Sequence, residues 1–299
     1  MGLEVKVLDL GDIELDTSFL VLALEPGQAQ QVPTLGFLIT GGEAPIVVDT
    51  GFSEPSIMGN LGMTGWWRDE QGMEKQLAKH GLEMKDVRYV LHTHLHIDHA
   101  GYDDHFPMDG TTVVINRREL EYSVSGLMGE QYPAPYIKHL VDRLHHPGAL
   151  RLLDLEVVDY EEIIPGVRCV AAGGHTEGSM NILVETAEGT ACICGDVVYD
   201  IQNQVVDPIY QVLDHEPQST GNQGTSKRQE RAAIKKALNS GTFLLPIHDY
   251  PARIEHGRVV SRFIGDSVPG PELAVEHKTT AETRKMGLGQ VEFTLPPAP

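Results

Sequence analysis

Near the first third of the chain, six consecutive residues read His94-Leu95-His96-Ile97-Asp98-His99. Imidazole and carboxylate are ligands that suit Zn, Fe, Mn or Co. His94 and His96 are two apart, so in an extended loop both rings point the same way and can grip one ion. Asp98 and His99 lie just beyond and can grip a second ion, roughly 3.5–4 Å from the first. Histidine runs also arise by chance or as tags. This one is internal, follows the buried-type strand VRYVLH (87–92) and holds an aspartate in register. A metal site is therefore the better reading. His92 alternates with His94 along that strand and is expected to support the ligands or to sit in the core. His80, His105, His139, His145, His146, His215, His256 and His277 have no ligand partner in register and read as surface or structural residues.

The elements that must carry this cluster are mostly strands. VKVLDL, SFLVLAL, TLGFLIT and PIVVD are apolar runs with Gly, Pro or acidic breaks between them. Residues 52–68, FSEPSIMGNLGMTGWWR, lack a period and read as a long loop. Residues 70–81 predict a helix with Met73 and Leu77 inward and Gly81 as its stop. TTVVIN (111–116) is a further strand, followed by helical patterns at 117–125 and 135–146. In the second, Ile137, Leu140, Val141 and Leu144 form the apolar stripe. LRLLDL, RCVAAG, MNILVET and GTACICGD predict strands, the last two joined by a hairpin at AEG. Residues 200–225 read as irregular. Ser226 with Gln229 makes a capping box for a helix over 227–239, closed by Gly241, and TFLLPIH (242–248) is the final core strand. Strands in both halves with helices between them predict an α/β fold of two face-to-face sheets with helices outside. Residues 1–264 are expected to form the working domain. Residues 265–299, punctuated by Pro and Gly, are expected to be a peripheral tail or a clasp on a partner subunit.

With these motifs in place the chain resembles the metallo-β-lactamase superfamily. The HxHxDH motif is His94, His96, Asp98 and His99, and the GHT motif is Gly174-His175-Thr176. Gly195-Asp196 follows an apolar strand, His248 follows another, and Asp49-Thr50-Gly51 is the early turn. The resemblance spans roughly residues 34–250. It implies the αβ/βα sandwich of two mixed β-sheets with helices on the outer faces. It also implies two divalent metal ions, Zn first and Fe, Mn or Co as alternatives. His175 would join the first ion, His248 the second, and Asp196 would bridge them.

Within the superfamily the chain is most similar to the N-acyl homoserine lactonases. Tyr199 stands three residues after Asp196, and His248 is followed by Asp249. A departure is Thr176-Glu177-Gly178-Ser179, where those enzymes tend to continue with Pro-Gly-His. The resemblance implies a hydrolase that opens a lactone ring by attack of a metal-bridging hydroxide. Tyr199 would donate to the developing oxyanion and Asp98 would carry the proton to the leaving alkoxide. Trp66, Trp67 and Met63, with Met58 and Leu61, would meet an apolar tail. The alternative is another ester-like bond on the same site: a thioester, cyclic amide, carbamate or organophosphate.

Bulk composition narrows the partners. The 299 residues carry 23 Lys and Arg against 43 Asp and Glu, a formal charge of −20. That field disfavours nucleic acid. The basic group Lys227, Arg228, Arg231, Lys235 and Lys236 reads as a solvated helix face. The 3 cysteines, Cys169, Cys192 and Cys194, are an odd, low number that gives no disulfide framework and points to a reducing cytoplasm; Cys192 and Cys194 share one face of a strand and read as core thiols. No apolar run approaches the ~20 residues of a membrane span. A small-molecule substrate and a homodimer complete the expectation.

Overall fold

The computed structural model describes residues 2–208, 216–222 and 224–275. In chain order the strands are β1 (Glu4–Asp16), β2 (Ala29–Thr40), β3 (Ile46–Val48), β4 (Thr64–Trp66), β5 (Tyr89–Leu91), β6 (Thr112–Asn116), β7 (Leu150–Leu153) and β8 (Glu161–Ile164). They continue as β9 (Val167–Ala171), β10 (Met180–Thr186), β11 (Gly189–Gly195), β12 (Phe243–Pro246), β13 (Ala252–Glu255), β14 (Arg258–Phe263), β15 (Ser267–Val268) and β16 (Glu272–Ala274). The α-helices are α1 (Thr17–Leu20), α2 (Met73–Ala78), α3 (Arg117–Ser123), α4 (Ala134–Leu144) and α5 (Lys227–Leu238).

One sheet has the order β15-β1-β2-β3-β5-β6-β7, with β4 paired to β1; the other has the order β16-β14-β13-β12-β11-β10-β9-β8. Both are mixed. β3, β5, β6 and β7 run parallel in the first, and β11 and β12 in the second. The inner faces meet in one apolar layer, with Val5, Phe37, Val48 and Leu91 opposing Cys169, Ile182, Ile193 and Leu245. Met73, Leu77, Ile137 and Leu140 pack helices against the outer face of the first sheet. Ala233, Ile234 and Ala237 of α5 cover Cys192 and Cys194 on the second. Each such side chain contributes about 1.5–3 kcal/mol on burial. The sandwich with outer helices is the architecture expected from sequence.

Local differences have local causes. SFLVLAL is not a strand: Asp16 accepts from Ser18 N at 2.8 Å and caps the single turn α1. The chain then doubles back, with Ala23 and Glu25 at positive φ. The 52–68 segment is ordered: a 3-10 helix spans Pro55–Leu61, and β4 pairs Thr64–Trp66 with Asp12–Glu14 of β1. Gly65 makes this fit, because a Cβ there would press on Met58. In α4, Val141 and Leu144 face solvent, and Tyr136 and Arg143 take the buried positions instead. The Ser226–Gln229 capping box is present, but α5 ends at Leu238 with Asn239 as its cap. Gly241 instead lies against the Thr190 carbonyl. Residues 202–206 form a π-helical turn within the stretch expected to be irregular. Past the expected boundary at 265, β15 pairs with β1 and β16 with β14, so this segment joins both sheets. Residues 276–299 of the expected tail, and His215 and His277, lie outside the described residues. No helix among the described residues is long and apolar enough to cross a membrane.

Candidate metal centre

Parallel strands bring their carboxyl ends to one edge of the sandwich, and the loops leaving them carry the polar residues. β3 ends at Val48, and the backbone of the next residue, Asp49, sits at φ 55°. Its buried carboxylate accepts from Thr93 N at 2.9 Å and Thr93 Oγ1 at 2.7 Å, and meets His99 Nδ1 at 3.1 Å. His92 lies behind it, with Nδ1 3.3 Å from Asp49 and Nε2 2.8 Å from Asp103. Burial pulls the His92 imidazole down, yet the two carboxylates outweigh it and hold it up at about 9. His92 therefore supports the ligand loop from behind.

Two clusters result. His94, His96, His175 and Asp196 form one, and Asp98, His99 and His248 form the other; within each, the candidate ligand atoms lie within 4.8 Å of one another. Asp196 stands between them. Its Oδ2 faces His94 Nε2 at 3.8 Å and His175 Nε2 at 3.6 Å. Its Oδ1 faces His99 Nε2 at 3.2 Å and His248 Nε2 at 3.4 Å. Asp98 Oδ2 reaches His248 Nε2 at 3.2 Å. All these residues are buried.

The donor set fits divalent ions. His94 Nε2, His99 Nε2, His248 Nε2 and Asp196 Oδ1 are buried without a hydrogen-bond partner, which costs stability unless a ligand satisfies them. The opposite ring nitrogens are engaged: His99 Nδ1 at Asp49, and His248 Nδ1 at the Pro33 carbonyl, 2.9 Å away. That arrangement orients a ring and leaves one lone pair for a metal. Burial, together with the other imidazoles, holds His94 and His96 well below the usual imidazole range. Burial also lowers His175, to about 4. In the second cluster burial is outweighed: Asp196, Asp98 and Asp49 hold His99 high, and Asp196 with Asp98 raises His248 to about 10. The first cluster thus offers neutral lone pairs, and the second demands positive charge.

The sequence expectations for surrounding residues meet mixed outcomes. Tyr199 stacks on His248, with centroids 5.3 Å apart and planes 8° apart, and its hydroxyl lies near Asp196 and Asn222. Burial, then Asp196 and Asp98, push its phenol well above the ordinary range. Met63 and Trp67 pack into an apolar cluster that also contains Tyr199, Met58 and Phe52. Trp67 stacks on Phe52 at 5.2 Å. Trp66 sits apart from that cluster, opposite Asp12 in the β1–β4 pairing. Asp249 accepts from Ile201 N at 2.9 Å and pairs with Arg262, bracing the segment after Tyr199. Sequence reasoning missed Glu119, Asp103 and Asn222. Glu119 lies in an ordinary-looking polar helix, RRELEYS, and Asn222 in a stretch without periodicity. No spacing signal marks either.

Known proteins are similar to this chain in sequence and in fold. The metallo-beta-lactamase superfamily model matches residues 30–235. An N-acyl homoserine lactonase of Bacillus cereus is 28% identical over 204 residues, covering 64% of this chain and 75% of that protein. One from Agrobacterium fabrum is 27% identical over 206 residues, covering 62% and 72%. A solved N-acyl homoserine lactone hydrolase, with N-hexanoyl-L-homoserine bound at its catalytic metal centre, matches with a TM-score of 0.61. It is 25% identical, and the match covers 79% of this chain and 88% of that one.

Proposed function

The chain belongs to the metallo-β-lactamase superfamily, and from that premise we propose that it is a dinuclear metal-dependent lactonase. Its substrate would be an N-acyl homoserine lactone or a similar small lactone. The observation that carries the dinuclear reading is the Asp196 carboxylate, one oxygen of which faces each histidine cluster. The lactone part rests on the relatives named N-acyl homoserine lactonases.

His94, His96 and His175 would hold one ion, Asp98, His99 and His248 the other, and Asp196 both; Zn suits this nitrogen and oxygen set, as do Fe, Mn and Co. Bound there, divalent ions supply Lewis acidity and acidify water toward neutral pH. The chain's own groups do the rest. The Tyr199 hydroxyl, beside Asp196, donates to the carbonyl oxygen as it gains charge. Asp98 is the nearest carboxylate able to take a proton and pass it to the leaving alkoxide. Imidazoles, carboxylates and one phenol converge here, a lining that suits an uncharged carbonyl substrate. Trp67, Met63 and Phe52 supply an apolar wall beside Tyr199 for an acyl tail. All 3 cysteines are free thiols, which suits a cytoplasmic setting.

The test is metal analysis of protein purified without chelator, with a pH-drop assay over lactones of graded tail length. A thioester, a carbamate and a phosphotriester serve as controls. Two ions per chain and fastest turnover of lactones are expected. One ion per chain, unchanged on adding Zn or Mn, removes the dinuclear reading. Faster turnover of a control substrate removes the lactone reading.

A further inference from the structure

We infer that Asn222 is a positioning residue for this centre: it accepts the Nδ1 proton of His175 and so holds His175 with Nε2 free for an ion. The inference rests on the dinuclear reading above. Three observations carry it. The Asn222 side chain is buried and its amide group lies against the ring, with Nδ2 placed 3.2 Å from His175 Nδ1, a position that a half-turn of the amide gives to Oδ1. His175 Nε2 points the other way, into the cluster, 3.6 Å from Asp196 Oδ2 and 3.0 Å from His96 Nδ1. Finally, His99 and His248 each present Nδ1 to an acceptor, the Asp49 carboxylate and the Pro33 carbonyl. Asn222 completes the same arrangement for His175. An imidazole whose Nε2 serves a metal carries its proton on Nδ1, so the amide must turn its oxygen toward the ring. The side chain also lies near the Tyr199 hydroxyl, so one amide stands between a metal ligand and the phenol beside the substrate.

The backbone around Asn222 is built to keep it there. Gly221 N donates to the Phe19 carbonyl at 2.9 Å. Lys227 Nζ donates to the Asn222 carbonyl at 2.8 Å and to that of Thr220 at 2.6 Å. At Gly224 any side chain would run into the His175 carbonyl. The Tyr122 hydroxyl donates to the Gly224 carbonyl at 3.2 Å, and Thr225 donates to the Gly174 carbonyl. The segment is therefore fastened on both sides of Asn222, to Phe19 before it and to the loop that carries His175 after it.

The experiment compares wild type, Asn222→Leu and Asn222→Asp by titrating the Zn-loaded proteins with a chromogenic chelator. Leucine matches the size but accepts nothing; aspartate matches the shape and only accepts. Asn222→Leu should release one ion at about 10- to 100-fold lower chelator concentration, the usual cost of losing a partner behind a ligand. Asn222→Asp should stay within about threefold of wild type, since its carboxylate takes the same proton. A packing role alone would leave leucine unaffected. Thermal melts of the metal-free proteins check the fold, and Asn222→Ala replaces leucine should leucine not fold. Wild-type retention of both ions by Asn222→Leu overturns the inference while leaving the dinuclear reading intact. So does an Asn222→Asp protein that loses the ion as leucine does. Wild type that holds fewer than two ions overturns the dinuclear reading, and this inference with it.

Discussion

Glu119 offers the sharpest test of how the ligand loops are held. Its carboxylate is buried, and Oε1 accepts from Leu95 N at 3.0 Å and from the Tyr132 hydroxyl at 2.9 Å. Oε2 accepts from Thr176 Oγ1 at 2.6 Å. One side chain thus grips the residue between His94 and His96 and the residue after His175. Burial raises its carboxyl, and the donors only partly restore it. In Glu119→Ala the Thr176 hydroxyl can turn to Ser179 Oγ, already 2.7 Å away. Leu95 N–H and the Tyr132 hydroxyl have no such recourse. Two stranded buried donors cost about 1–3 kcal/mol each, so roughly 2–6 kcal/mol together. At about 2–4 °C per kcal/mol for a domain of this size, the melting temperature should fall by roughly 10 °C. Glu119→Gln keeps the Oε1 bonds and should lose only about 1 kcal/mol, the exchange of charged for neutral hydrogen bonds. Scanning calorimetry of the metal-loaded proteins, with metal content measured in parallel, is the assay. An alanine variant that melts within about 2 °C of wild type and keeps its metal would refute the reasoning.

Other outcomes follow from the same geometry. Asp98→Asn should lower kcat by about 10²-fold or more with metal content checked by elemental analysis, since an amide cannot carry the proton; near-native kcat removes that role. Tyr199→Phe should cost roughly 1–3 kcal/mol in kcat/KM with metal unchanged, and identical kinetics would make Tyr199 a packing residue only. Trp67→Ala should raise KM more for long-tailed lactones than for short ones, by up to about 0.8 kcal/mol per methylene. Trp66→Ala, outside that apolar cluster, should show no such slope; a slope for Trp66 and none for Trp67 would reverse the assignment of the wall.

The part of the site legible in sequence is the part made of short-range order. His94, His96, Asp98 and His99 lie in one loop after one buried strand, so their spacing alone discloses a shared purpose. His175, Asp196 and His248 come from three separate loops and were legible only through resemblance to a family. Glu119 and Asn222 were not legible at all. Each acts on a ligand far away in sequence, from a helix 24 residues past Leu95 and a loop 47 residues past His175. In the fold, apolar runs of core strands gave themselves away, whereas SFLVLAL did not. There the Asp16 cap and a turn at Ala23 prevailed over strand propensity. The departure Thr176-Glu177-Gly178-Ser179 also becomes intelligible. Gly178 admits α3 at a distance no side chain would allow, and Ser179 Oγ accepts from Thr176 N at 3.0 Å.

Gathering five imidazoles and two carboxylates in a buried cleft works against folding. The bonds that cross between the sheets near this edge show how the fold sustains it. Met180 N donates to the Thr93 carbonyl at 2.9 Å, and Leu35 N to that of Ile247 at 2.9 Å. His248 Nδ1 meets the Pro33 carbonyl across the same seam. Each joins a strand or loop of one sheet to a ligand-bearing segment of the other. The two halves of the centre are therefore brought into register by protein–protein hydrogen bonds and by the apolar layer beneath them. Hydrogen bonds and packing of this kind hold ligands in place, and such rigidity favours tight binding and a fixed direction of attack. That rigidity also accounts for the placement of Asp49, Glu119 and Asn222. Each spans a gap between segments whose relative positions the sheets alone leave free, and each does so with a buried polar group tied to a ligand or to the residue beside one.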